Sequence, residues 1–167
     1  MNIKNRTWIE QVADLDKDKS ILEVGSFIVP SQEEAQCRKT IAPLAGKYIG
    51  LDLRPGPGVD IVADAKKMPF RDESFDIIIC LDMLEHADWP RDVIRECFRV
   101  TKKGGGLFLA SVFSFPIHDY PHDYWRFTPW CIKSLLEDAG YEVLECGGEE
   151  GTEESPMVSR GIGRRPT

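Results

Sequence analysis

The chain has 167 residues, of which 42% are hydrophobic and 29% charged, and its formal net charge is -7. These values describe one ordinary globular domain over residues 1–167 with a single core. An acidic chain without a basic cluster excludes binding to nucleic acid or an anionic membrane through bulk electrostatics. No apolar run approaches the roughly 20 residues of a membrane helix.

Five cysteines stand at positions 37, 80, 97, 131 and 146 with no C-x-x-C pair. Cys80, Cys97 and Cys131 lie inside apolar patterns, and the stretch from Met1 to Lys19 is polar, with no signal-peptide core. Reduced, mostly buried thiols in a cytoplasmic protein are therefore expected, rather than a disulfide or zinc framework.

In chain order, Asn5 to Ala13 reads as a short helix with Trp8, Ile9 and Val12 on one face. Ser20 to Gly25 reads as a buried strand ending in a glycine turn, and Ser31 with Glu34 forms a capping box for a helix reaching about Ile41, where Pro43 stops it. Lys47 to Asp52 is a second strand, Arg54 to Gly58 a loop, and Val59 to Val62 a short third strand. The continuous apolar run from Phe75 to Leu81 suits a central parallel strand. Pro90 opens an amphipathic helix that Gly104-Gly105-Gly106 should terminate, and Leu107 to Phe113 is a fifth strand. After a loop from Ser114 to Phe127, Thr128-Pro129 caps another helix that stops at Gly140. Tyr141 to Cys146 and Met157 to Arg164 are the last strands, joined as an antiparallel hairpin, the final one polar enough to suggest an edge. The alternation predicts an α/β fold: a Rossmann-like, mostly parallel seven-stranded sheet with helices on both faces and the last strand antiparallel.

Strand, glycine turn and helix make the first half of a nucleotide-binding unit, whose ligand sits at the carboxyl end of the strand. Glu23, Asp52 and Asp64 fall at the ends of three successive strands, so all three should line one crevice. An acid after the second strand can accept from both ribose hydroxyls. One after the third can accept from an exocyclic amino group.

Ile21-Leu22-Glu23-Val24-Gly25, Tyr48-Ile49-Gly50-Leu51-Asp52, Ala63-Asp64-Ala65 through Met68-Pro69-Phe70, and Phe75-Asp76 through Leu84-Glu85-His86 occur in this order. The ordered set resembles class I S-adenosylmethionine-dependent methyltransferases, small and of type 11, over about residues 20 to 146. The resemblance implies that Glu23 and the backbone of Val24, Gly25 and Ser26 hold the methionine part of S-adenosyl-L-methionine. It further implies Asp52 on the ribose, Leu53 on the adenine face, Asp64 and the Ala65 N–H on the adenine edge, and Leu81, Asp82 and Met83 beside the methionine amino group. The family usually carries glycines two and four residues beyond Gly25, where this chain has Phe27 and Val29. Because a pyrophosphate needs closer backbone approach than a sulfonium, the loss counts harder against a dinucleotide.

The stretch from His118 to Thr128 joins the fifth strand to the next helix. It reads either as a wall of the acceptor pocket, with His118, Tyr120, His122, Tyr124, Trp125 and Arg126 facing substrate, or as a loop packed on itself. His86 is a candidate general base or, equally, a loop-packing residue. No metal site is expected, since Pro121 between His118 and His122 prevents the helix that would align that pair. The expected activity is methyl transfer to an O or N nucleophile on a small or medium-sized molecule. A catalytically inactive binding protein is the alternative. The oligomeric state is not legible.

Overall fold

A computed structural model of the chain describes residues 3–29, 37–118 and 122–167. Its elements are α1 (Ile3–Val12), β1 (Ser20–Val24), α2 (Cys37–Ile41), β2 (Lys47–Asp52), β3 (Ile61–Val62), β4 (Phe75–Leu81), α3 (Pro90–Val100), β5 (Thr101–Val112), α4 (Pro129–Ala139), β6 (Glu142–Gly151) and β7 (Pro156–Arg164). Short 3-10 turns follow α2 at Ala42–Leu44 and β4 at Leu84–His86. The capping box at Ser31 lies outside the described residues; the helix it was expected to open is seen from Cys37 onward.

The seven strands form one sheet in the order β3-β2-β1-β4-β5-β7-β6. β1 pairs in parallel with β2 and β4, and β4 with β5, whereas β7 runs antiparallel to both β5 and β6. The sheet thus carries two apolar layers. Leu22, Val24, Ile78, Cys80, Leu107 and Leu109 face α3 and α4, while Ile21, Ile77, Ile79, Phe108 and Ala110 face α1 and α2. Burial on both faces explains why β4 reads as an unbroken apolar run.

Three boundaries differ from expectation. Helix α3 ends at Val100, not at the glycine triplet, because Thr101 turns extended and its Oγ1 donates to the Cys97 carbonyl at 2.7 Å. β5 therefore starts at Thr101, and the glycines sit in a register shift where Phe75 pairs with Thr101 but Ile77 with Gly106. Gly104 there has φ +74°, a left-handed conformation that favours glycine. β3 keeps only two residues.

The last hairpin is longer than predicted, and β7 is not an edge: it lies between β5 and β6, and β6 takes the edge. The polar look of β7 comes from Ser159, Gly161 and Gly163. A methyl group on Gly161 would stand 3.0 Å from Ile132 and Leu136, and one on Gly163 2.9 Å from Tyr141, so small residues let α4 lie close to the sheet. α4 itself begins as expected, with the Thr128 side chain accepting from the Cys131 N–H and Gly140 closing it at φ +105°. All five cysteines are free thiols, with Cys37, Cys80 and Cys97 buried, but Cys131 is exposed rather than part of the core.

Candidate active site

The carboxyl ends of β1 and β2 meet at a buried polar cluster. Glu23 is 2% exposed and its Oε2 accepts from the Tyr48 hydroxyl at 2.7 Å. Among the described residues its other oxygen, Oε1, has no hydrogen-bond partner, and neither has the buried Ser26 hydroxyl. Burial pushes the Glu23 carboxyl up to about 7, although the Tyr48 hydroxyl and the Arg38 charge pull it down. Two orphaned buried polar groups flanking one glycine call for a ligand that brings hydrogen bonds with it.

Between them Gly25 turns at φ +83°, and a Cβ there would lie 2.5 Å from Met83 Cγ. Both the dihedral and the space demand glycine. Gly25→Ala is expected to cost about 1–2 kcal/mol in backbone strain alone, more once Met83 is displaced; a chemical denaturation curve measures it, and an unchanged midpoint would contradict the tight packing.

Asp52 closes the other side. Its Oδ2 accepts from the Phe27 N–H at 3.1 Å and its Oδ1 from the Arg54 N–H at 3.0 Å. Oδ1 also accepts from Arg54 Nε at 3.4 Å, so Oδ2 keeps a lone pair for a further donor and Oδ1 gains one by releasing that long contact. Phe27, in place of the family's glycine, does not point into the crevice centre. Its ring lies under the Arg54 guanidinium at 4.3 Å and against Gly56, so the loop after β1 leans onto the loop after β2. Leu53 stands exposed beside Asp52. Asp64, the third of the strand-end acids, is exposed, accepts from the Lys66 N–H at 2.9 Å, and faces Lys66 with Asp88 beside it. Ala65 next to it is half-buried.

At the end of β4, Leu81 is buried against β5 and Asp82 takes a left-handed φ of +48°, an uncommon strain for a residue with a side chain. The turn that follows places Glu85 at 0% exposure. Its Oε2 accepts from Ser111 Oγ at 2.7 Å, and its Oε1 has no hydrogen-bond partner among the described residues. Burial, reinforced by the Asp82 charge, raises this carboxyl to about 7. His86 is half-buried, its Nδ1 is 2.8 Å from the His122 carbonyl, and burial holds the imidazole below its usual value.

The loop over this turn is held by its own bonds. The Tyr124 N–H donates to the Glu85 carbonyl at 2.8 Å and Trp125 Nε1 to the Ala87 carbonyl at 2.9 Å. Arg126 donates through Nε to Phe115 O, through Nη1 to Asp123 Oδ1 and Trp125 O, and through Nη2 to Asp123 Oδ2 and Pro116 O. Five donors meet five acceptors, so Arg126 anchors the loop and has no N–H to spare for a substrate anion. Tyr120 lies outside the described residues. His118 is half-buried at the cluster, while His122, Tyr124 and Trp125 are exposed. Sequence reading missed Tyr48, Glu85, Ser111 and Asp123; of these only Glu85, adjacent to His86 in the motif, carried a signal.

Sheet order and strand-end site together define a Rossmann-like methyltransferase fold. A family model described as a methyltransferase domain matches residues 34–109. The ubiquinone biosynthesis O-methyltransferase of Pseudomonas paraeruginosa is 36% identical over 171 aligned residues, covering 84% of this chain and 72% of that protein. That of Pseudomonas fluorescens is 36% identical over 118 residues, covering 63% of this chain and 49% of that protein. The chain thus spans about half the length of several of the curated relatives it matches. Among solved structures, an S-adenosylmethionine-dependent methyltransferase from Mesorhizobium loti aligns with TM-score 0.73 at 14% identity, over 98% of both chains. The cyclase SpnF aligns with TM-score 0.77 at 16% identity, over 99% of this chain and 81% of its own. The fold alone therefore does not dictate methyl transfer. The sequence relationship does fix the family: the chain belongs to the class I S-adenosylmethionine-dependent methyltransferases.

Proposed function

We propose that this chain transfers a methyl group from S-adenosylmethionine to a hydroxyl of a small or medium-sized acceptor. The observation that carries the reading is the pair of orphaned buried groups, Glu23 Oε1 and Ser26 Oγ, on either side of Gly25. An α-ammonium and a carboxylate, the two ends of a methionine moiety, are the donors and acceptors such a pair lacks. In this reading Glu23, Val24, Gly25 and Ser26 hold the methionine part and Asp52 takes the ribose hydroxyls on its remaining lone pairs. Leu53 covers the adenine, Asp64 and Ala65 meet its edge, and Leu81, Asp82 and Met83 close the amino end. The bound cofactor supplies an electrophilic sulfonium methyl. The protein aligns the acceptor in line with it and receives the proton that leaves. With Nδ1–H held by the His122 carbonyl, the His86 lone pair sits on Nε2, ready for that proton. Oxygen is favoured over nitrogen as the acceptor because the related Pseudomonas enzymes are O-methyltransferases by name. The net charge of -7 disfavours nucleic-acid acceptors.

Phe27 favours a second reading, a binding protein that keeps the cofactor and has lost turnover. Calorimetric titration with S-adenosylhomocysteine, followed by an isotope-transfer assay over phenolic and aliphatic hydroxyl acceptors, separates the two. Absence of binding at millimolar ligand would sink both.

The same titration has an expected pH profile. The free protein holds Glu23 half protonated near pH 7, since burial raises its carboxyl to about 7. A bound ammonium requires the carboxylate, so each complex formed below that pH must release a proton. Affinity should rise with pH, by about tenfold between roughly pH 6 and pH 8. Glu23→Gln should flatten the profile. A flat profile in the native chain would remove Glu23 from the site.

A further inference from the structure

We propose that Glu85, His86 and His118 form a binding site for one divalent transition-metal ion. One ligand atom from each lies within 4.8 Å of the other two. The expectation of no metal rested on His118 and His122; the fold instead brings His118 against His86, their rings 4.9 Å apart and 82° to each other.

The hydrogen bonds orient all three groups as metal ligands. His86 Nδ1 faces the His122 carbonyl at 2.8 Å. His118 Nδ1 faces Asp123 Oδ2 at 3.1 Å and the Pro116 carbonyl at 3.2 Å. Both rings therefore donate through Nδ1 to oxygen, which leaves both lone pairs on Nε2. Histidines that bind metals are oriented in this way, with a carbonyl or carboxylate fixing the far nitrogen. His118 Nε2 looks at Glu85 Oε1 across 3.9 Å. In that tautomer His118 Nε2 has no proton to offer, and an ionised Glu85 has none either. Glu85 is fully buried, its Oε2 is engaged by Ser111, and its Oε1 has no partner among the described residues. An ionised, buried carboxylate with a ligand atom of each of two histidines within 4.8 Å is the set that a cation draws together.

Ligands of a tetrahedral ion at about 2.1 Å stand roughly 3.4 Å apart. The gap closes by rotation of His118, which is carried on the surface loop while Glu85 and His86 are fixed by the turn after β4. Two imidazoles and one carboxylate suit zinc and its first-row neighbours rather than calcium or magnesium. Three protein ligands leave a fourth position open, and the exposed Phe115 ring lies 5.2 Å from that of His118. The role of the ion rests on the methyltransferase reading above: it would ligate the acceptor hydroxyl and lower its pKa. With the ion in place His86 Nε2 is a ligand and no longer the base described above: the hydroxyl proton passes to solvent, the oxygen lone pair forms the O–CH₃ bond, and the S–CH₃ bond breaks to leave a neutral thioether.

The test uses the full chain stripped with chelator and titrated with Co²⁺, read by its visible absorption, and then with Zn²⁺ as competitor. One equivalent should bind, and Zn²⁺ should displace it. His118→Ala and His86→Ala should each weaken binding by about a hundredfold or more, beyond the loss typical of an outer-shell partner. His122→Ala, which keeps the backbone carbonyl that holds His86, should bind as the native chain does. His118 is half-exposed, so its variant tests the site even if changes at buried Glu85 impair folding. No stoichiometric binding, or undiminished binding by His118→Ala, overturns the proposal. S-adenosylhomocysteine titrated into the same samples separates the two ideas: cofactor bound without metal sinks the metal site alone, and loss of both sinks the methyltransferase reading with it.

Discussion

Asp52→Ala is expected to weaken S-adenosylhomocysteine binding by about a hundredfold while the chain stays folded. Asp52, 8% exposed, ends β2 with each oxygen accepting one backbone N–H and Oδ1 also the Arg54 Nε–H at 3.4 Å. The proposed ribose would use the remaining lone pair of Oδ2 and displace the Arg54 Nε contact from Oδ1. Hydrogen bonds to a charged group contribute about 1.5–3 kcal/mol each, and two of them lost together exceed the roughly 1.4 kcal/mol that makes a tenfold change. The loop effect works in the same direction. Without the carboxylate, the Phe27 N–H and the Arg54 N–H lose their acceptor, and the turn that presents Ser26 loosens. Asp52→Asn separates the contributions, since its amide oxygen can still hold one of these N–H groups. Calorimetry on both variants, with circular dichroism as the check on folding, measures the effect. A dissociation constant unchanged in folded Asp52→Ala would take the ribose away from this residue.

Arg126→Ala is expected to lower the melting temperature by about 6–12 °C. The guanidinium satisfies five acceptors, and two of them are the oxygens of Asp123, whose side chain is fully buried. Breaking a buried pair from one side strands a charge and costs about 3–5 kcal/mol. Arg126 is itself a quarter exposed, with a side-chain relative exposure of 25%, so the low end applies. A chain of this size loses about 2–4 °C per kcal/mol. The Arg126 hydrogen bonds hold the Asp123 carboxyl well below the usual carboxylate range. A depressed pKa stabilises the fold above the unfolded value and is lost on acidification, so the difference between native and variant should shrink below about pH 4. A native-like melting temperature with abolished turnover would restore Arg126 to the acceptor pocket.

That second result bears on how much of the site the sequence displays. The loop from His118 to Thr128 reads equally well as pocket wall or self-packed strap, because aromatics, histidines and an arginine suit both. Tertiary structure separates them within one segment: Arg126 and Trp125 anchor, whereas His118 turns toward Glu85 and His86. Tyr124 is left exposed, its ring beside that of His122. Asp123, the residue that fixes both Arg126 and His118, gave no signal in the sequence, since nothing in its neighbours says that a loop aspartate will be buried.

The order of strands and helices, the central place of β4, the caps of α4 and the acids after β1 and β2 were determined by the sequence itself. These features rest on local rules: apolar runs buried on two faces, a threonine oxygen reaching an orphan N–H, a glycine at positive φ. Tertiary structure alone decided where β7 goes, how deep Glu23 and Glu85 lie, and which histidine meets which. β7 looks like an edge because serine and glycine carry no apolar signal, yet that smallness is what lets α4 settle on the sheet and makes the strand internal. Burial of a carboxylate and the pairing of His86 with His118 depend on which chain segments cross over a strand end. Such crossings join residues far apart in sequence, where no local pattern can record them.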